Sequence, residues 1–124
     1  LDVRQKIATI RVSKDGRSLS PTHIVCDGLA YELSGDSFSI GIGESELFDL
    51  VADRNIAGKP VELCYLKLAG ERWTLEASEG AAFDGENDAI LKAGDAVEVL
   101  IQGSRKRLLL IHCIGLGNQG GDSA

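Results

Sequence analysis

Four groups of residues in this sequence could do chemistry. The string Gly115-Leu116-Gly117-Asn118-Gln119-Gly120 fits G-x-G-x-x-G and follows a strand-like run. A dinucleotide site needs a helix whose N-terminus faces the pyrophosphate, and a strand that returns to the sheet. Only four residues follow Gly120, so the string reads as a Gly-rich tail and no cofactor is expected. His23, Cys26, Cys64, His112 and Cys113 could be metal ligands, but zinc sites show paired ligands such as C-x₂-C. His23 and Cys26 are the one such pair, and in a strand residues three apart point to opposite faces. They read as core residues, and no metal is expected. Acid–base catalysis needs carboxylates or histidines poised together. The 19 acids are scattered, and Asp36, Asp84 and Asp95 each adjoin a glycine, as turn residues do. No serine lies in a nucleophile-elbow pattern. No catalytic residue is assigned, and no enzymatic activity is expected.

Many short strands are what must position any other kind of site. The runs 7–13, 23–26, 29–33, 38–42, 61–68, 72–77, 96–102 and 107–114 read as strands, with weaker ones at 48–52 and 89–92. Trp73 and Leu75 fall on one face of their run, as do Val97, Val99 and Ile101, so all five are predicted to be buried. Asp27-Gly28 is a hairpin dipeptide. The segment 44–52 could hold one helical turn, 78–88 reads as a glycine-bearing loop, and Ser104-Arg105-Lys106-Arg107 reads as a solvated turn. With no long helix and a turn signal every few residues, the expectation is an all-β antiparallel sandwich of about ten short strands over residues 1–114. A flexible Gly-rich tail is expected over 115–124.

Composition narrows the class of partner. The chain has 124 residues, enough for one domain, with 15 glycines and two prolines. Its formal net charge of −6 and pI near 4.8 disfavour nucleic acid and anionic membrane as partners. Three widely spaced cysteines point to reduced thiols and a cytoplasmic location. No run reaches the ~18 apolar residues of a membrane span. The sequence opens on Leu1 rather than Met, which suggests a piece of a larger protein.

From Leu33 to Ile101 the order of small signals resembles the forkhead-associated domain. Phe38-Ser-Ile-Gly41-Ile42 is similar to that family's strand ending in Ile-Gly-Arg, and Phe48-Asp-Leu-Val-Ala-Asp53 to its Asp-Ile-x-Leu-x-Asp stretch. Ala57-Gly58-Lys59-Pro60-Val-Glu-Leu63 stands in the place of Ser-x-x-His-Ala-x-Leu. Gly70-Glu-Arg-Trp73-Thr-Leu75 resembles the turn and strand that follow, and Glu79-Gly80-Ala81-Ala-Phe83-Asp84-Gly85 resembles Asn-Gly-Thr-x-Val-Asn-Gly. Leu91-Lys-Ala-Gly94-Asp95-Ala-Val97 is similar to the closing Leu-x-x-Gly-Asp-x-Ile. The resemblance implies a β-sandwich that binds phosphothreonine peptides through its loops.

The departures change that implication. Where the family places a phosphate-contacting Arg and Ser, a buttressing His and a peptide-holding Asn, this sequence has Ile42, Ala57, Pro60 and Glu79. Charge-assisted hydrogen bonds carry phosphate affinity, and a nearby carboxylate repels a dianion. The expectation is therefore a degenerate member that contacts another protein, or another domain of the same assembly, without phosphate. Cytoplasmic parts of bacterial secretion-system rings contain such domains. The alternative is a phosphothreonine reader with non-standard ligands, Ser45, Arg54 and Lys59 serving as replacements. The partner surface is expected on loops 43–47, 53–59 and 78–85, with Ile42, Ser45, Arg54, Asn55, Ala57, Lys59 and Glu79 as contact residues. Leu47, Phe48 and Ile56 are its expected apolar part.

Overall fold

The computed structural model of the chain describes residues 6–55, 58–85, 90–101 and 103–114. Among these it has ten strands and no helix. They are β1 (Ala8–Ser13), β2 (His23–Cys26), β3 (Leu29–Glu32), β4 (Ser37–Ile42), β5 (Leu50–Asp53), β6 (Val61–Ala69), β7 (Arg72–Ala77), β8 (Ala81–Asp84), β9 (Ala96–Ile101) and β10 (Ser104–Ile111). A six-stranded sheet, β3-β2-β10-β9-β1-β8, faces a four-stranded one, β5-β4-β6-β7. Alternate side chains of each meet in one core: Ile10, Ile24, Val99, Leu108 and Leu110 from the larger, Ile40, Leu50, Leu66 and Leu75 from the smaller. Trp73, Leu75, Val97 and Val99 are buried as their alternation predicts, whereas Ile101, at the end of β9, is half-buried.

Five expectations are corrected. The sheets are mixed rather than purely antiparallel, because β1 pairs with β8 and β4 with β5 in parallel. The predicted loop over 78–88 contains β8, four residues whose strand character comes from pairing with β1, more than 70 residues away. The expected turn at 104–107 is the first half of β10. Its charges alternate: Arg105 lies on the outer face and reaches Glu98 across β9 at 3.4 Å, while Lys106 shares a face with Leu108. Segment 44–52 forms no helical turn. At 89–92 the described residues give one bridge, Thr74 with Ile90, in place of a strand. The expected tail over 115–124 lies outside the described residues.

The β4–β5 crossover is unusually short for a parallel pair. It works because the register aligns Ile40 with Leu50, so the chain must step back only a little. Asp49 fixes the return by accepting the Ser39 N–H at 2.8 Å, and the Ser39 hydroxyl oxygen accepts the Asp49 N–H at 3.0 Å. Phe48 packs flat on Gly41, where an added Cβ would stand 2.4 Å from its ring. Phe48 is thus half-buried, while Leu47 beside it is 87% exposed.

Strand directions give the sandwich two ends. One holds the turn 26–29, loops 43–49 and 78–80, residues 53–55 and 58–60, and Gly103. The other holds loops 14–22 and 32–37, the β6–β7 turn, and residues 90–95.

Candidate functional site

The first end is tied together by backbone contacts. The Gly43 N–H donates to the Asp53 carbonyl at 2.8 Å, and an added Cβ on Gly43 would stand 2.9 Å from Pro60 Cα. Gly80 packs on Val61, and its carbonyl accepts the Ile7 N–H at 2.9 Å. The three loops singled out from sequence therefore do converge.

Their side chains do not all face a partner. Ile42 is 1% exposed and belongs to the core, so it presents nothing to a ligand. Ile42 follows Phe38 and Ile40 at period two, so the strand alternation itself places it on the core face, and only the resemblance put it among the contact residues. Ser45 is half-buried and its hydroxyl oxygen accepts the Leu47 N–H at 3.1 Å, an interaction within its own loop. Arg54 is exposed, 3.5 Å from the Glu44 carboxylate. Asn55 is exposed, and its N–H donates to Asp53 Oδ1 at 2.9 Å. Lys59 and Glu79 are exposed, and the Glu79 carbonyl accepts the Lys6 ammonium at 2.8 Å. Ala57 and Ile56 lie outside the described residues.

Beside these loops, between the edge strands β3 and β5, a cleft of about 220 Å³ opens into the mouth of the sandwich. Arg54 and Asn55 line one wall, Tyr31 and Leu29 the other, and Lys106 with Asp27 close it. Sequence reasoning missed Lys106. It sits opposite buried Val99, on the core-facing side of β10, where the alternation of Lys106, Leu108 and Leu110 would have placed it had the strand been extended to Ser104. Its ammonium is 3.0 Å from each oxygen of Asp27. That hydrogen bond pushes the Lys106 pKa up. Asp27 (φ 51°) and Gly28 (φ 81°) are both left-handed, the conformation a tight hairpin turn requires. Cys26 donates its S–H to Asp27 at 3.8 Å. Burial, reinforced by the Asp27 charge, pushes the thiol up to about 11, so it is no thiolate nucleophile near neutral pH.

The opposite end carries charge of another kind. Asp95, expected as a turn residue, is 0% exposed. Its carboxylate accepts the N–H groups of Gly16 at 2.6 Å and Lys92 at 2.8 Å, and the Lys14 ammonium at 2.8 Å. Lys14 also donates to the Ile90 carbonyl. Burial alone would raise the Asp95 pKa, but these three donors outweigh it and hold the carboxyl below its ordinary value. Gly16 must be glycine, since a Cβ there would stand 2.6 Å from Asp95 Oδ1 and 2.8 Å from the Ala93 carbonyl. This cluster staples the β1–β2 loop to the entry of β9.

Comparison with known proteins finds no matching family model, no matching curated protein and no matching solved structure.

Proposed function

We propose that this chain is a non-catalytic protein-interaction or assembly module, degenerate relative to the forkhead-associated domains it resembles, and that it contacts its partner without phosphate. The observation that carries this reading is the charge pairing at the loop end. Lys106 is held by Asp27, Arg54 faces Glu44, and Asp53 lines the same cleft. A phosphothreonine site needs donors in excess of carboxylates around a dianion. Here each of these two cations faces a carboxylate and Asp53 adds a third, so a dianion meets repulsion that the donors present do not outweigh, and the side chains of Ile42 and Pro60 add no hydrogen-bond donor. What the loop end presents instead is the exposed Leu47 with a mixed-charge surround, the composition of a protein-contact rim. A cytoplasmic position within a larger, secretion-ring-like protein fits the reduced cysteines and the acidic charge, and belongs to the proposal.

Calorimetry against a degenerate phosphothreonine peptide library tests it. Loss of two or three charge-assisted contacts, at ~1.5–3 kcal/mol each, moves a micromolar site to no tighter than about 100 μM. A phosphate-dependent micromolar ligand would establish the alternative, a phosphopeptide reader built on Arg54 and Lys59.

A further inference from the structure

We infer that the cleft between the edge strands β3 and β5 is a carboxylate-binding site, taking an acidic side chain or a C-terminal carboxylate from an extended segment of a partner protein. This rests on the interaction-module reading and supplies the chemistry of the partner.

The hydrogen-bond inventory points to an acceptor. A lysine ammonium has three N–H groups and a guanidinium five. Two of the Lys106 donors go to Asp27, which leaves one for the cleft. Arg54 makes a single 3.5 Å contact with Glu44, between side chains 60% and 80% exposed. Such a pair is weakly held and readily exchanged. Asn55 and Tyr31, which also line the cleft, carry further donor groups. Among the carboxylate oxygens, both of Asp27 meet Lys106 and Asp53 Oδ1 meets the Asn55 N–H, which leaves Asp53 Oδ2 open against a larger number of open N–H groups. The cleft is therefore rich in unused donors although its formal charges balance.

The remaining features narrow the ligand. Asp27 and Asp53 would repel a phosphate dianion more strongly than a planar monoanion, and Arg54 can meet a carboxylate through two parallel N–H bonds. About 220 Å³ accommodates one side chain or chain terminus, and is too small for a nucleotide. Both flanking strands are sheet edges. Edge strands offer main-chain donors and acceptors to an extended peptide, while a neighbouring pocket selects its side chain.

The test is a titration of the isotope-labelled chain, followed by nuclear magnetic resonance, with four peptides. They are acetyl-Ala-Val-Glu-Val-Ala-amide, the same peptide with Gln or with phosphothreonine replacing Glu, and acetyl-Ala-Val-Ala with a free C-terminus. The Glu or the free-acid peptide should shift the backbone resonances of Asp27, Leu29, Tyr31 and Asn55, and which of the two does so identifies the source of the carboxylate. The Gln peptide should bind at least tenfold more weakly. Arg54→Gln should lower carboxylate affinity at least tenfold and leave the thermal midpoint unchanged. Equal binding of the Glu and Gln peptides, or no shift with any of the four, overturns the site. Shifts confined to 43–47 and Lys59 overturn the cleft but leave the interaction-module reading standing. Tighter binding of the phosphothreonine peptide overturns both.

Discussion

The two ends of the sandwich use charge for opposite purposes. At the Asp95 end a carboxylate is removed from water and surrounded by three donors, two of them backbone N–H groups. At the cleft end, Arg54 and Glu44 meet at 3.5 Å in solvent, and Lys106 and Asp27 pair where the ammonium keeps an unused donor. A buried carboxylate cannot exchange partners without leaving its donors unsatisfied, which makes it a structural clamp. An exposed pair is worth little to stability and can be replaced by an equivalent group on another protein. The position of a charge relative to solvent, more than its identity, separates a structural clamp from an exchangeable pair.

The largest expected effect follows from breaking the clamp. Asp95→Ala strands the Gly16 and Lys92 N–H groups and the Lys14 ammonium, and should destabilise the fold by about 3 kcal/mol. Urea unfolding measures it, and a loss below ~1 kcal/mol would erase the distinction between the ends. Gly41→Ala tests the crossover that forms the loop end. The new methyl meets the Phe48 ring and should cost about 1–3 kcal/mol by overpacking, with Phe48 becoming more accessible by fluorine labelling. Lys14→Glu places a carboxylate against Asp95. With the lysine side chain 48% exposed, the expected loss is about 1 kcal/mol.

Acid sharpens the same contrast. A carboxyl whose folded pKa lies below its unfolded value contributes stability that is complete above the unfolded pKa, ~3.9 for Asp, and is lost as pH falls through the folded one. Wild-type chain should therefore lose stability below about pH 4 more steeply than Asp95→Asn, as read by circular dichroism across an acid titration. Parallel curves for the two proteins would remove Asp95 from the acid response. The smallest effect belongs to Arg54→Glu with Lys59→Glu. Both residues are exposed, so stability should change by less than ~0.5 kcal/mol while pull-down of the partner weakens. A change of several degrees in melting temperature would mark these residues as structural.

Much of the fold was legible because it rests on local pattern. β2 and β7 follow their predicted bounds, and β6 and β9 differ by one residue at one end, since period-two alternation of apolar side chains is a property of neighbours in sequence. Less of the site was legible. The convergence of loops 43–47 and 53–59 came from the order of the motifs, but Ile42 belongs to the core, and Lys106 and Asp27 read only as turn residues. Lys106 was read with its neighbours Arg105 and Arg107 as one basic run. Only the strand separates the three, turning Lys106 into the cleft and the arginines outward to Glu98 and Asp15.

By itself, then, the sequence determined an all-β chain of short strands with acidic charge, and the alternation that buries Trp73, Leu75, Val97 and Val99. It did so because turn dipeptides and alternation act over a few residues. The tertiary structure alone decided that Asp95 is a clamp rather than a turn, that four residues around Phe83 become a strand, and that Arg54 and Lys106 share a cleft. Each of these depends on groups about 50 to 80 positions apart brought within a few ångströms, and a pattern read along the chain holds no record of which distant segment will supply the missing partner.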